Sequence, residues 1–264
     1  MKILFWNTYR NININKYIVY LVDRYEVDVV LLAEYNGKID ELDDLLFNSN
    51  QQLIRYNTVG CNRIKFWCNY HDVNQGSQNV YHTLQVLNQK IIICGIHLFS
   101  DLHGNKSDER LEVIKEIKYD INKLKQITDI NKVIIIGDFN EMPYDKGCLN
   151  ANGFHGLSVL NYTDKNTRKV NGRQYEKYYN PMWNLFGNFD YPPGTYYSFQ
   201  SSLRSPMWYM FDQVLLSQEV IPFFKKESLK IITSGLKTEN GHPNKKISDH
   251  FPILVEIEES ILNG

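Results

Sequence analysis

The chain has 264 residues, 43% of them hydrophobic and 22% charged, which gives length for a sizeable core and the balance of a soluble globular protein. A net charge of -1 and a pI near 6.7 exclude a broad basic clamp, so any nucleic-acid contact has to be local or metal-mediated. Cys61, Cys68, Cys94 and Cys148 show no CxxC spacing, no apolar run reaches the roughly 20 residues of a membrane span, and Lys2 to Trp6 is too short for a secretion-signal core, so the expected compartment is the cytoplasm.

In chain order, Ile3 to Trp6 is an apolar strand that delivers Asn7 at its end. Tyr17, Ile18, Leu21, Val22 and Tyr25 recur at three- and four-residue spacing, the signature of an amphipathic helix. Val27 to Ala33 is the next strand and delivers Glu34, so strand, helix and strand form a right-handed βαβ crossover with a parallel pair. Residues 39 to 47 predict a short acidic helix. Apolar segments at 53–56, 64–69, 80–86 and 91–96 predict a strand meander whose last member ends at His97. Ser107, Asp108 and Glu109 predict a capped helix start, followed by a buried stripe of Leu111, Ile114, Ile117, Ile121 and Leu124.

Val133 to Ile136 is a continuous β-branched run, too short to favour a helix and apolar on both faces, and so reads as a central buried strand. Gly137 permits close backbone approach, and Asp138 and Asn140, two apart on extended chain, leave on one face. Pro143 ends the ladder. From about 150 to 210 the chain is irregular and rich in aromatic residues mixed with Arg and Lys. Strands resume at 211–216, 229–233 and 252–257. No composition break separates these parts, so residues 1–264 are expected to form a single domain.

Every strong apolar strand therefore leads into, or starts from, an acid, an amide or an imidazole that a strand does not need. In order these are Asn7, Glu34, His97, Gly137-Asp138-Phe139-Asn140 with Pro143, Phe211-Asp212 and Ser248-Asp249-His250-Phe251-Pro252. Sheet ligands gather outside strand ends. This ordered set, running from Lys2 to Glu256, resembles the endonuclease/exonuclease/phosphatase superfamily of DNase I-like nucleases, AP endonucleases, deadenylases, neutral sphingomyelinases and inositol polyphosphate 5-phosphatases. The resemblance implies a four-layer α/β/β/α sandwich of two packed mixed β-sheets flanked by helices, with the site at one end of both sheets. Tyr9 two residues after Asn7, and His97 itself, depart from the AP-endonuclease pattern. The Pro-x-Trp-Cys-Asp-Arg run of inositol 5-phosphatases is missing, and the chain resembles a bacterial-type branch instead.

Phosphoester hydrolysis needs a divalent cation, a deprotonated water and neutralised phosphate oxygens. Glu34 is a hard carboxylate ligand suited to Mg2+ or Mn2+, and the resemblance implies Asn7 and Asp249 beside the same metal. His250 is the candidate general base, because imidazole titrates near neutral pH, with Asp212 orienting it and stabilising its imidazolium. Asp138 is expected to position the attacking water or leaving group, and Asn140 to donate to a phosphate oxygen. A cationic His97 is expected to neutralise transition-state charge.

The irregular aromatic region reads either as a loop making its own small core or as a surface that stacks bases. Arg168, Lys169, Arg173, Arg204, Tyr179 and Trp183 are its candidate substrate contacts. The expected activity is a metal-dependent phosphodiesterase on DNA or RNA. The alternatives are hydrolysis of an inositol phosphate or sphingolipid headgroup, and a non-catalytic binding module of the same fold.

Overall fold

The computed structural model describes residues 1–101, 106–160, 166–199 and 205–262. Its strands are β1 (Lys2–Asn7), β2 (Val29–Ala33), β3 (Ile54–Tyr56), β4 (Ile64–Cys68), β5 (Val73–Gln75), β6 (His82–Leu87), β7 (Ile91–His97), β8 (Val133–Asp138), β9 (Gly156–Leu157), β10 (Thr167–Val170), β11 (Arg173–Glu176), β12 (Tyr178–Tyr179), β13 (Tyr196–Tyr197), β14 (Trp208–Tyr209), β15 (Asp212–Ser217), β16 (Lys230–Ile231) and β17 (Ile253–Glu256). The α-helices are α1 (Asn15–Tyr25), α2 (Ile39–Phe47), α3 (Ser107–Thr128) and α4 (Lys146–Leu149).

Two mixed sheets carry the architecture. The first runs in the order β16-β17-β1-β2-β4-β3 and the second in the order β5-β6-β7-β8-β15-β12-β9. Each has a central parallel pair made by a helical crossover, β1/β2 through α1 and β7/β8 through α3. The continuous apolar runs are explained by burial on both faces. In β8, Ile134 and Ile136 enter the core between the sheets, while Val133 and Ile135 pack with Ile114, Ile117 and Ile121 of α3. On the first sheet, Ile18, Leu21 and Val22 of α1 and Leu42 and Leu46 of α2 join the apolar core. The result is the four-layer sandwich of two mixed sheets with helices outside.

Two glycines set how closely the parts approach. A Cβ on Gly137 would lie 2.0 Å from the carbonyl oxygen of Ile96, so no side chain fits there. A Cβ on Gly95 would lie 2.5 Å from Leu31 Cδ2, across the gap between the sheets. Bareness at 95 therefore permits the sheets to close beneath the ends of β2 and β7.

Three sequence expectations change. The segments at 53–96 do not form one meander: β3 and β4 extend the first sheet, and β5, β6 and β7 open the second. Period-two patterning gives a strand its faces but not its sheet. Helix α3 starts at Ser107 itself, so Lys106 holds the N-cap position, with no side-chain cap bond from it. The stretch from 150 to 210 contains the hairpin β10/β11, the pair β13/β14, and the short strands β12 and β9 that extend one side of the second sheet. Among the described residues no helix is long and apolar enough to cross a membrane.

Candidate active site

Strand direction brings the polar residues to one end of both sheets. In the second sheet β7 and β8 are parallel with His97 beside Asp138, and β15 is antiparallel with Asp212 beside Asp138. The start of β15 thus meets the ends of its neighbours. In the first sheet Asn7 pairs with Ala33, which places Glu34 one residue further on. Strand β17 runs antiparallel to β1, so Asp249 and His250, which precede it, return to the same end.

The two sheets are stitched together there by polar side chains. Asn7 Nδ2 donates to Asp138 Oδ2 at 2.9 Å, and Asp212 Oδ2 meets His250 Nδ1 at 2.7 Å. His97 Nε2 stands 3.6 Å from Glu34 Oε1 and 3.8 Å from Asp138 Oδ2. Backbone bonds fix these groups in place. Trp6 Nε1 donates to the carbonyl of His250, Ser248 Oγ donates to the carbonyl of Asn7, and the amide of His250 donates to Ser248 Oγ. Asn140 donates from its amide N–H to Asp138 Oδ1 and from Nδ2 to the carbonyl of Leu98. One of its two side-chain hydrogens is therefore spent inside the protein. Glu34 and Asn140 sit at φ +49 and +47, a left-handed backbone that non-glycine residues adopt sparingly and that clusters at functional sites.

Charge is one-sided. Glu34, Asp138, Asp212 and Asp249 converge, and the exposed Arg10 pairs with one of them (Nε 3.4 Å from Glu34 Oε2). Burial pulls the His250 imidazole down, but the Asp212 charge, its hydrogen bond, Asp138 and Asp249 outweigh it and raise its pKa to about 10. Burial also pushes the Asp212 carboxyl up, against the His250 charge and their hydrogen bond, so the two groups compete for one proton. Burial, opposed by His250, pushes the Asp249 carboxyl up, with Glu34 adding to the rise. The expectation of a cationic His97 meets resistance: burial lowers its pKa, against the pull of Asp138 and Glu34, and its Nδ1 has no hydrogen-bond partner. Buried without a bonded counter-ion, the ring is held toward its neutral form.

An aromatic wall stands beside His250. The ring of Tyr196 lies 4.9 Å from the imidazole and stacks on Phe211 at 5.5 Å, and Tyr209 packs on Phe211 at 4.9 Å. Tyr196 and Phe211 are half-buried, so the wall borders solvent.

The substrate contacts named from sequence scatter. Arg168, Lys169 and Arg173 are exposed on the β10/β11 hairpin. Its base is tied to the far end of the second sheet, by Asn166 to Glu219 beyond β15 and by Glu176 to Lys125 near the end of α3. β12 then pairs Tyr178 with Ser217, six residues along β15 when Asp212 is counted. At about 3.3 Å per residue that is roughly 17 Å from the site, so these cations do not join it. Tyr179 is buried in the core between the sheets against Phe224, its hydroxyl accepting from Asn184. Trp183 is half-buried and clusters with Tyr144 and Phe186. Arg204 lies outside the described residues.

Four groups that sequence reading passed over belong to the site. Arg10 follows β1 on a left-handed backbone, and Tyr196 and Phe211 carry the aromatic wall. Thr195 holds the entry to β15, its Oγ1 accepting from the amide of Asp212. Nearness in sequence to Asn7 or Asp212 could have marked Arg10 and Phe211, but Thr195 and Tyr196 lie 16 or more residues before Asp212.

The donor set suits a hard divalent cation. The described His, Cys, Asp and Glu side chains hold one trio whose ligand atoms lie within 4.8 Å of one another, Asp138, Asp212 and His250. Asp212 Oδ2 and His250 Nδ1 are bonded at 2.7 Å, so a cation between those two atoms would break that bond, whereas the buried Asp212 Oδ1 has no hydrogen-bond partner. Glu34 and Asp249 carry carboxylates that repel each other without a cationic bridge, and Asn7 Oδ1 keeps a lone pair beyond its bond from the amide of Tyr9. These oxygens are hard donors of the kind that Mg2+ or Mn2+ takes.

The chain has a DNase I-like fold. It superposes on the 3'-5' exonuclease NExo from Neisseria meningitidis with a TM-score of 0.60 at 14% identity, over 98% of this chain and 100% of that one. A structure of the 3' phosphatase NExo from Neisseria bound to product DNA hairpin gives 0.60 at 13%, over 98% and 99%. An AP endonuclease from Archaeoglobus fulgidus gives 0.59 at 11%, over 97% and 99%. No family model and no curated protein sequence matches the chain.

Proposed function

We propose that this chain is a divalent-metal-dependent phosphodiesterase that hydrolyses nucleic acid, with His250 as the group that takes the proton from water. The observation that carries the reading is the buried Asp212–His250 bond of 2.7 Å, set at the shared end of two sheets and facing further carboxylates. Asp212 fixes the ring through Nδ1, which leaves Nε2 turned toward Asp249 Oδ1 at 4.0 Å. Glu34, Asp249 and Asn7 would hold the cation, which would supply positive charge for the phosphate oxygens and offset the carboxylate field that favours a protonated His250. Asp138, anchored by Asn7 and the Asn140 amide, is oriented to accept a hydrogen bond from water or the leaving group. Neutral His97 donates from one ring nitrogen rather than acting as a full charge.

Nucleic acid is favoured by the Tyr196–Phe211 wall beside the imidazole, because aromatic faces stack bases. The folds sharing this architecture include an exonuclease, a structure with bound DNA and an AP endonuclease. The test is a turnover screen with Mg2+ or Mn2+, and with chelator, against single- and double-stranded DNA, RNA, inositol phosphates and sphingomyelin. The expected result is metal-dependent cleavage of a nucleic acid that His250→Ala abolishes. Turnover of only a headgroup substrate would overturn the substrate class, and turnover of none would overturn the enzyme.

A further inference from the structure

A second arrangement of polar groups lies on the opposite face of the second sheet, under helix α3. His82 opens β6 and is fully buried. Its Nδ1 meets Asn79 Oδ1 at 2.9 Å, and that same oxygen accepts from the amide of Tyr81 at 2.8 Å. The second bond fixes which end of the amide is oxygen, so Nδ1 has to carry the hydrogen. His82 Nε2 is then a bare lone pair. It has no hydrogen-bond partner, yet it faces Asp120 Oδ2 of α3 at 3.3 Å, and the carbonyl of Ser77 also faces the ring. An acceptor therefore faces a nitrogen that offers no proton, a repulsive arrangement unless a cation lies between.

That cation is either a second proton or a metal. Distance opposes the proton, since a charge-assisted N–H···O bond closes to about 2.7–2.9 Å, shorter than the 3.3 Å between His82 Nε2 and Asp120 Oδ2. A spacing of 3.3 Å instead equals the edge between two ligands of a tetrahedral ion: legs of about 2.0–2.1 Å at the tetrahedral angle end roughly 3.3–3.4 Å apart. The neighbouring cleft, about 440 Å³, is lined by Asn79, Glu112, Lys115, Glu116, Tyr119 and Asp120. Glu116 is one turn before Asp120 on the same face of α3 and is exposed, free to swing in as a third ligand with water as the fourth.

We propose that His82 Nε2 and Asp120 form a zinc site, completed by Glu116 and water, that staples α3 to β6. Imidazole favours zinc over magnesium, which separates this site in chemistry as well as place from the hard-oxygen site at the strand ends. Asn79 acts as the outer partner that fixes the tautomer, as a carbonyl does for a ligating histidine.

The experiment is zinc binding by the whole chain in excess Mg2+, which saturates the strand-end site, read by equilibrium dialysis and by the imidazole ¹⁵N spectrum. One retained equivalent and a shift confined to His82 Nε2 are expected. Asp120→Asn, at a partly exposed position that leaves the core intact, is expected to weaken zinc by more than the roughly 10–100-fold that losing an outer partner costs. Asn79→Ala is expected to fall within that range, and His82→Gln to abolish retention. The Glu34→Gln variant is expected to keep its zinc. Three results would overturn the site: equal zinc retention by wild type and Asp120→Asn, loss of zinc in Glu34→Gln, or a His82 that titrates on lowering pH while zinc leaves its Nε2 signal unmoved.

Discussion

The site has a strand-borne part and a loop-borne part, and they are held by different forces. Asn7, Glu34, His97, Asp138 and Asp212 sit at or just beyond the ends of strands whose cores are fully buried. Their positions follow from backbone ladders, so each is fixed to the register of its sheet. Tyr196, Tyr209 and Phe211 instead belong to a long excursion between β8 and β15, held by ring contacts, a two-residue strand pair and single ties such as Phe251 N to Thr195 O. Rigid elements hold reacting groups within the tolerance that chemistry needs, whereas loops vary the surface a substrate meets. Chemistry is thus expected to depend on the first part and substrate preference on the second.

The largest effect should come from the strand-borne pair. Asp212→Asn and His250→Ala are each expected to lower kcat by about 10³–10⁴-fold with little change in KM. The double variant is expected to be hardly worse than either single one, because the pair moves one proton. Losses that sum in activation free energy would show that the two residues act separately. Glu34→Gln follows, with Mg2+-dependent turnover expected to fall by about 10²–10³-fold and thermal stability nearly unchanged, since the side chain lies at the solvent edge. Metal titration of activity beside a melting curve checks both halves.

The loop-borne wall should show a smaller and different signature. Tyr196→Ala is expected to raise KM about tenfold, with kcat changed less, as stacking is worth about 1–3 kcal/mol per base. A loss confined to kcat would mean that the ring positions His250 rather than substrate. Lys118 sharpens the comparison from the stability side, because it ties the excursion to α3 by donating to the carbonyls of Gly153 and Ala151. Burial lowers its pKa from 10.5 to about 8, with Glu176 opposing. Between those pH values the unfolded chain binds the extra proton, so folding stability rises with pH across that window and the burial penalty is complete below it. Relative to Lys118→Met, the wild type is expected to gain about 1–2 kcal/mol between pH 8 and 10.5 in denaturant unfolding. The smallest effect belongs to the hairpin: Arg168, Lys169 and Arg173 replaced together by Ala should leave KM and its salt slope unchanged. A flatter slope would show that substrate reaches the far end of the sheet.

This division also explains what could be read from the sequence. Runs such as Val133 to Ile136 announce a buried strand, and a carboxylate directly after one has few structural reasons to be there. The strand-end residues were therefore legible, together with the layered fold. Which sheet received residues 53–96 was not, since alternation fixes a strand's faces but not its neighbours. The basic triplet was misplaced for a related reason. Its location is decided by Tyr178 pairing with Ser217 and by the Lys125–Glu176 ion pair, long-range contacts with no local signature. Arg10 was missed because a left-handed turn, not any pattern, sends it back to Glu34.

Gly95 acts as a spacer between two plates. It lies two residues before His97 and faces Leu31, which lies three before Glu34, so the gap it sets is the gap those two side chains bridge. The working distances of the site are thereby calibrated from inside the core, by an absent methyl group that touches no substrate.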